Sequence, residues 1–120
     1  AAKGPSVIIP DNAKYGPVVF GDGCVVHPGA FIDARGGTIS FGENCIIEEK
    51  VRIVNKPRGK DPNGIPIMRE MKIGNYNLFE AGCNISSCMI GDMNEFHHKC
   101  FVDDNCKVAN CCIVGPKVHL

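Results

Sequence analysis

Large apolar residues return at every sixth position along most of the chain. They form four runs: Phe20, Val26 and Ile32; Phe41, Ile47 and Ile53; Ile73, Phe79 and Ile85; and Ile90, Phe96, Val102, Val108, Val114 and Leu120. A period of six matches neither the 3.6-residue period of a helix nor the two-residue period of a half-buried strand. It is typical of a repeat architecture in which each repeat is one short structural unit.

A second, smaller inward position follows four residues after the large one. It is occupied by Cys24, Ala30, Cys45, Val51, Asn77, Cys83, Cys100, Cys106, Cys112 and Val118. Glycine, Asp, Asn or Glu fill the positions between, and these residues favour tight corners. Each hexad therefore predicts a short strand and a corner, and three hexads close one triangular coil. The predicted fold is all-β: a left-handed parallel β-helix of hexapeptide repeats, a triangular prism of about five to six coils.

Three interruptions refine this prediction. The step from Ile32 to Phe41 is nine residues, that from Ile85 to Ile90 is five, and that from Ile53 to Ile73 is twenty. The longest step predicts one protruding loop at residues 54–72 within a single domain of residues 1–120. Because eighteen residues close a coil, we expect Phe20 to stack on Phe41, and Phe79 on Phe96.

Composition excludes several function classes. The chain carries 13 basic and 13 acidic residues, whereas nucleic-acid binders usually have a basic excess. No apolar run reaches the roughly 18 residues of a membrane span, so we expect neither nucleic-acid binding nor membrane insertion. Six of the eight cysteines fall on the small inward position, where a reduced thiol packs as a compact hydrophobe. This pattern favours a reduced, cytoplasmic protein.

Enzymes also use hexapeptide β-helices, and the fold alone cannot exclude them. The segments IIEEKVRIV and IGNYNLFEAGCNIS resemble γ-class carbonic anhydrases locally, and the resemblance puts that family's three zinc-ligand positions at Val54, Ala81 and Ser86. An acyltransferase would need a general base, usually a histidine. His97 and His98 follow the inward Phe96, which predicts a solvent-facing corner. We therefore expect no catalytic residue, no metal and no cofactor.

The protruding loop is basic. Lys56, Arg58, Lys60, Arg69 and Lys72 outnumber Asp61 and Glu70 within it, and Ile65, Ile67, Met68 and Met71 add apolar area. Two compatible hypotheses follow. The loop could fold back with its apolar residues on the wall of the prism, or it could dock an acidic partner through these five cations.

The segments FGENCIIEEKVRIVN and IGNYNLFEAGCNISSCMIGDMNEFHHKCFVDDNCKVANCCIVG, separated by a proline-rich loop, resemble the family of the sixth dynactin subunit. The resemblance implies a non-catalytic, cytoskeleton-associated assembly subunit at the pointed end of the actin-related filament of dynactin, where it supports dynein-based transport and recruits cargo adaptors. It also implies protein partners, namely dynactin subunit 5 and other pointed-end subunits, in a hetero-oligomer rather than a homotrimer. A hexapeptide-repeat enzyme, either an acyltransferase or a protein like γ-carbonic anhydrase, is the alternative.

That family continues into a C-terminal segment that covers the prism, whereas this sequence stops in register at Leu120. We therefore expect either a truncated chain or a partner that caps the last coil.

Overall fold

The computed structural model of the protein describes residues 18–120, so residues 1–17 of the predicted domain lie outside the described part. Every regular element in residues 18–120 is a strand of two or three residues. The strands are β1 Val18–Phe20, β2 Val25–Val26, β3 Phe31–Asp33, β4 Ile39–Phe41, β5 Ile46–Ile47, β6 Arg52–Val54, β7 Met71–Ile73, β8 Leu78–Phe79, β9 Asn84–Ile85, β10 Met89–Ile90, β11 Glu95–Phe96, β12 Phe101–Val102, β13 Lys107–Val108 and β14 Ile113–Val114. No helix of the described residues is long and apolar enough to cross a membrane.

Three parallel sheets form the faces of a prism. Face A has the strand order β1-β4-β7-β10-β13, face B has β2-β5-β8-β11-β14, and face C has β3-β6-β9-β12. The chain visits A, B and C in turn, so each coil contributes one strand to each face. The predicted left-handed parallel β-helix is confirmed, with about five coils.

The six-residue period marks the core. The large inward residues from Phe20 to Val114 are all buried, and those of neighbouring coils stack in register. The rings of Phe20 and Phe41 lie 4.7 Å apart and those of Phe79 and Phe96 lie 5.0 Å apart, as predicted. Each successive coil thus extends one continuous apolar column.

Two inward positions of the last described coil differ from this rule. Val118 is 39% exposed and Leu120 is 46% exposed. Both remain in register, because Leu120 N–H donates to the Phe101 carbonyl at 2.8 Å. Among residues 18–120, one neighbouring coil covers them.

The corners between faces are built from residues with left-handed backbone. At the corner between B and C, Lys50, Lys99 and Lys117 all have φ near 60°, and Gly29 and Gly82 occupy the same position in other coils. This corner position points its side chain outward. It therefore places a column of lysines along one edge of the prism.

Candidate functional site

The twenty-residue step forms a defined projection, here called the arm (residues 55–70), between β6 and β7. Its two limbs pair as a short hairpin: Arg58 N–H donates to the Ile67 carbonyl at 3.1 Å, and Ile67 N–H donates to the Gly59 carbonyl at 2.9 Å. At the tip, the Asp61 carboxylate accepts hydrogen bonds from two backbone N–H groups of the turn. Residues at both ends of the predicted loop, Val54, Met71 and Lys72, lie in strands.

The root of the arm is fixed to the first coil. Asn55 is buried, and its side-chain amide donates to the carbonyls of Arg69 at 2.6 Å and Gly37 at 3.2 Å. Arg69 N–H in turn donates to the Gly36 carbonyl at 2.7 Å. Gly36 and Gly37, which belong to the nine-residue step, thus accept hydrogen bonds from both ends of the arm.

A third contact holds the arm against a later coil. The Arg58 guanidinium lies 3.4 Å from the Asp104 carboxylate, with Arg58 24% and Asp104 34% exposed. Between these coils lies the five-residue step, where Ser87 is buried and its hydroxyl donates to the Cys106 carbonyl at 2.6 Å.

The five cations predicted to bind a partner have different surroundings. Lys56 and Lys60 are exposed and have no carboxylate within 4 Å in the described part of the chain, whereas Arg58 anchors the arm. Lys72 lies on face A, 3.8 Å from Glu70. Arg69 is half-buried, and its Nε and one Nη have no hydrogen-bond partner among residues 18–120.

The apolar residues of the predicted loop also differ in their burial. Met71 is buried in the core, but Ile65, Ile67 and Met68 are exposed. The hypothesis that the loop lays its apolar residues on the wall of the prism is therefore wrong for these three residues. They instead form an exposed apolar surface on the arm.

Beside the root of the arm, face C carries a groove of about 230 Å³. Its base includes Val54 and Ile85, and its polar and aromatic walls are Asp33, Arg35, Arg52, Lys56, Asn84, Ser86 and Phe101. Arg52 lies with its guanidinium 4.5 Å above the ring of Phe31, and Arg35 forms an ion pair of 2.8 Å with Asp33. The sequence analysis did not predict this groove. The one sequence feature that pointed to it was Arg52, a cation at an outward position of β6.

The groove bears on the enzyme alternatives. Val54 and Ser86, two of the positions that a γ-class carbonic anhydrase would use for zinc, line it, and Ala81 lies at the corner between B and C. None of these three side chains is a histidine, and residues 18–120 bring no three His, Cys, Asp or Glu side chains together. His97 and His98 do not line the groove. His97 instead contacts Glu95 at 3.2 Å.

The perturbed thiols are in the core. The thiol of Cys83 donates a hydrogen bond to Cys100, which lowers the pKa of Cys100 and raises that of Cys83. Both side chains are fully buried. A nucleophile needs access to its substrate, so this buried pair does not form a reactive site.

No family profile matches the chain. Individual proteins do match. The chain is 37% identical over 111 residues to dynactin subunit 6 of Xenopus tropicalis, an alignment that covers 92% of this chain and 55% of that protein. It is 34% identical over 116 residues to dynactin subunit 6 of Nematostella vectensis, covering 96% and 63%. For the Danio rerio protein of the same name the identity is 37% over 112 residues, covering 92% and 57%. The chain thus spans rather more than half the length of these relatives.

Proposed function

Over the region it spans, the chain belongs to the dynactin subunit 6 family, and from this premise we propose that it is a non-catalytic structural subunit of the dynactin complex. The observation that carries this proposal is similarity over nearly the whole β-helix to proteins of one name from several animals. All 120 residues act as one domain in this proposal, with the arm as its main projection.

The finer assignment follows the family. The subunit sits at the pointed end of the actin-related filament, beside dynactin subunit 5, in a hetero-oligomer. There it supports dynein-based transport and the recruitment of cargo adaptors in the cytoplasm. The ordered arm supports an assembly role, because its exposed Ile65, Ile67 and Met68 offer apolar area beside the exposed cation Lys60.

The chemistry of the groove supports a role without catalysis. Valine and alanine, at two of the three positions where a hydrase would hold zinc, offer no metal-binding atom. The two adjacent histidines lie outside the groove, so a general base does not meet a substrate pocket there. The residues that line the groove include no histidine or cysteine, and its cations can bind a partner through charge.

Affinity purification of the tagged chain from cell extract tests the assignment. We expect dynactin components, including subunit 5, to co-purify at constant ratios, and the purified chain to contain no stoichiometric zinc. A stable homotrimer with hydrase or acyltransferase activity would contradict the proposal.

Variants of the arm test its role in the same assay. Lys60→Glu changes an exposed cation that has no carboxylate within 4 Å among the described residues, and it should weaken recovery of the complex. Lys107→Glu on face A is the matched control, since it changes the charge by the same amount at another exposed site. Equal recovery with both variants would remove the arm from the interface.

A further inference from the structure

The lysines and arginines of the described coils are segregated, although the whole chain has no net charge. Among residues 18–120, face B and the corner between A and B carry no lysine or arginine. The carboxylates on that side are Asp22, Glu43, Asp92 and Glu95, whereas Glu48 and Glu80 begin the corner between B and C. Lysines and arginines lie on face A, face C, the corner between B and C, and the arm.

The cations concentrate around the face C groove. Five of them have no carboxylate within 4 Å in the described part of the chain, and we call these the cationic face: Lys50, Arg52, Lys56, Lys99 and Lys117. On the same side Asp33 and Asp104 are neutralised by Arg35 and Arg58. Glu48, Glu49 and Asp103 are the carboxylates left outside ion pairs there, and Glu80 lies 3.9 Å from His98.

The geometry of the cationic face suits an extended chain. Lys50, Lys99 and Lys117 occupy one corner position in the second, fourth and fifth coils. Strands of neighbouring coils lie about 4.8 Å apart, so these lysines are about 10 and 5 Å apart along the prism. Carboxylates on alternate residues of an extended segment recur at about 6.6 Å, which is within reach of flexible lysines. Arg52 adds a planar fork that matches a carboxylate.

We propose that the cationic face and its groove bind an extended acidic segment of a partner protein. The groove, at about 230 Å³, lies below the 300–1,000 Å³ typical of small-molecule and cofactor pockets, but it holds one or two side chains of a peptide. The inference deepens the proposed function and rests on it for the existence of a protein partner. It adds the surface and the chemistry of the segment that binds there.

Nucleic acid fits this face less well. Single-stranded RNA binds through bases stacked on free aromatic rings. Two outward-facing rings of face C are already covered, Phe31 by Arg52 at 4.5 Å and Phe101 by His119 at 4.4 Å. The arginine fork and lysine column therefore favour carboxylates on a peptide.

Fluorescence anisotropy with the purified chain tests the proposal. The probes are a labelled dodecapeptide with six glutamates, its counterpart with six glutamines, and a single-stranded RNA dodecamer. We expect the glutamate peptide alone to bind, with an affinity that falls as salt is raised, because exposed charge pairs are screened. Equal binding of the glutamine peptide, tighter binding of the RNA, or no binding of the glutamate peptide would each overturn the proposal.

Charge reversals locate the site. Arg52→Glu and Lys56→Glu should each weaken the glutamate peptide by about tenfold or more, since each places a repelling charge at the centre of the contact. Lys107→Glu on face A makes the same change of charge, and its effect should stay within about twofold. Because Arg52 packs on Phe31, thermal melting of each variant confirms that it is folded.

Two outcomes remain distinct. If Lys107→Glu weakens binding as much as Arg52→Glu, the attraction follows net charge only and the cationic face is not a site. If the peptide fails to bind while dynactin components still co-purify, the docking site is wrong and the proposed function stands.

Discussion

At the corner between faces A and B, one inward side chain in each of the first four coils is bonded to the next coil. The thiols of Cys24 and Cys45 donate to the carbonyls of Gly42 and Gly74 at 3.0 and 3.1 Å. Asn77 does the same to Gly91 at 2.8 Å, so cysteine and asparagine perform one task. A buried carbonyl without a donor is costly, typically by about 1–3 kcal/mol. These residues therefore fix the register of the coils as well as fill space.

The glycines that accept these bonds are sterically required. A Cβ on Gly74 would lie 2.6 Å from the carbonyl oxygen of Gly91 in the next coil. We expect Gly74→Ala to lower the free energy of unfolding by about 1–3 kcal/mol, as overpacking does. Chemical denaturation measures this loss.

Gly115→Ala is the matched control, because the nearest atom to its Cβ would be Val118 Cγ2 at 3.5 Å. Its effect should stay within about 0.5 kcal/mol, the range of ordinary surface changes. Equal losses in the two variants would show that the coils are not in close contact at Gly74.

Cys45 makes stability depend on alkaline pH. Burial raises the pKa of its thiol from 9.0 to about 11. Between these values the unfolded chain has lost a proton that the folded chain keeps, so stability is full below pH 9 and falls as pH rises towards 11. The loss is of the order of 1–3 kcal/mol.

Urea unfolding of the wild type and of Cys45→Ala at pH 8 and at pH 10.5 isolates this contribution. The variant should be less stable at pH 8 but should lose less stability between the two pH values. Parallel losses would contradict the role of the buried thiol.

At the scale of elements, the arm is a hairpin held at three places: Asn55, Gly36 with Arg69, and the pair of Arg58 with Asp104. The first two fix its root within the coils. The third is partly exposed, so it contributes about 1 kcal/mol or less. The arm should therefore open locally without unfolding the prism.

The Arg58→Ala variant tests whether the ion pair with Asp104 anchors the arm. We expect amide hydrogen exchange in the arm to speed up by up to about fivefold, because about 1 kcal/mol corresponds to that factor. Exchange in the coils should not change. Lys60→Ala, at an exposed position of the same arm, is the control, and acceleration in both variants would rule out the anchor.

At the scale of the whole molecule, the prism is a stack in which each described coil pairs with its neighbours, and the arm adds one longer contact from Arg58 to Asp104. Ile47, Phe79 and Phe96 in the middle coils have no solvent exposure, whereas Val108 in the fifth coil is 8% exposed. Repeat proteins of this kind gain stability from nearest-neighbour interfaces. A coil with one such neighbour is held less firmly.

Native-state hydrogen exchange should show this gradient. We expect amides of the second to fourth coils to exchange most slowly and those of the fifth coil fastest, since they have fewer inter-coil bonds to break. Adding the partner complex should slow exchange on whichever surface it covers. Uniform protection across all five coils of the free chain would contradict the stacked arrangement.

Much of the fold could be predicted because a six-residue hydrophobic period is satisfied by a β-helix, in which every sixth residue faces the core. The large residue of each hexad must face the axis, so the stacking of Phe20 on Phe41 follows from their separation along the chain. The same reasoning predicted an arm but not its path. Its direction depends on Arg58 meeting Asp104, two residues 46 positions apart with no pattern that relates them.

The sequence by itself therefore determined which side chains lie inside the prism, because burial repeats with a local period. It also determined the total charge, which is zero. Where the charges lie was decided by the tertiary structure. Stacking brings Lys50, Lys99 and Lys117 from separate coils into one column, and among the described residues it leaves face B and the corner between A and B without a lysine or arginine. A chain without net charge thus carries its lysines and arginines on only part of the surface of the described prism, since lateral neighbours in a β-helix are one whole coil apart in sequence.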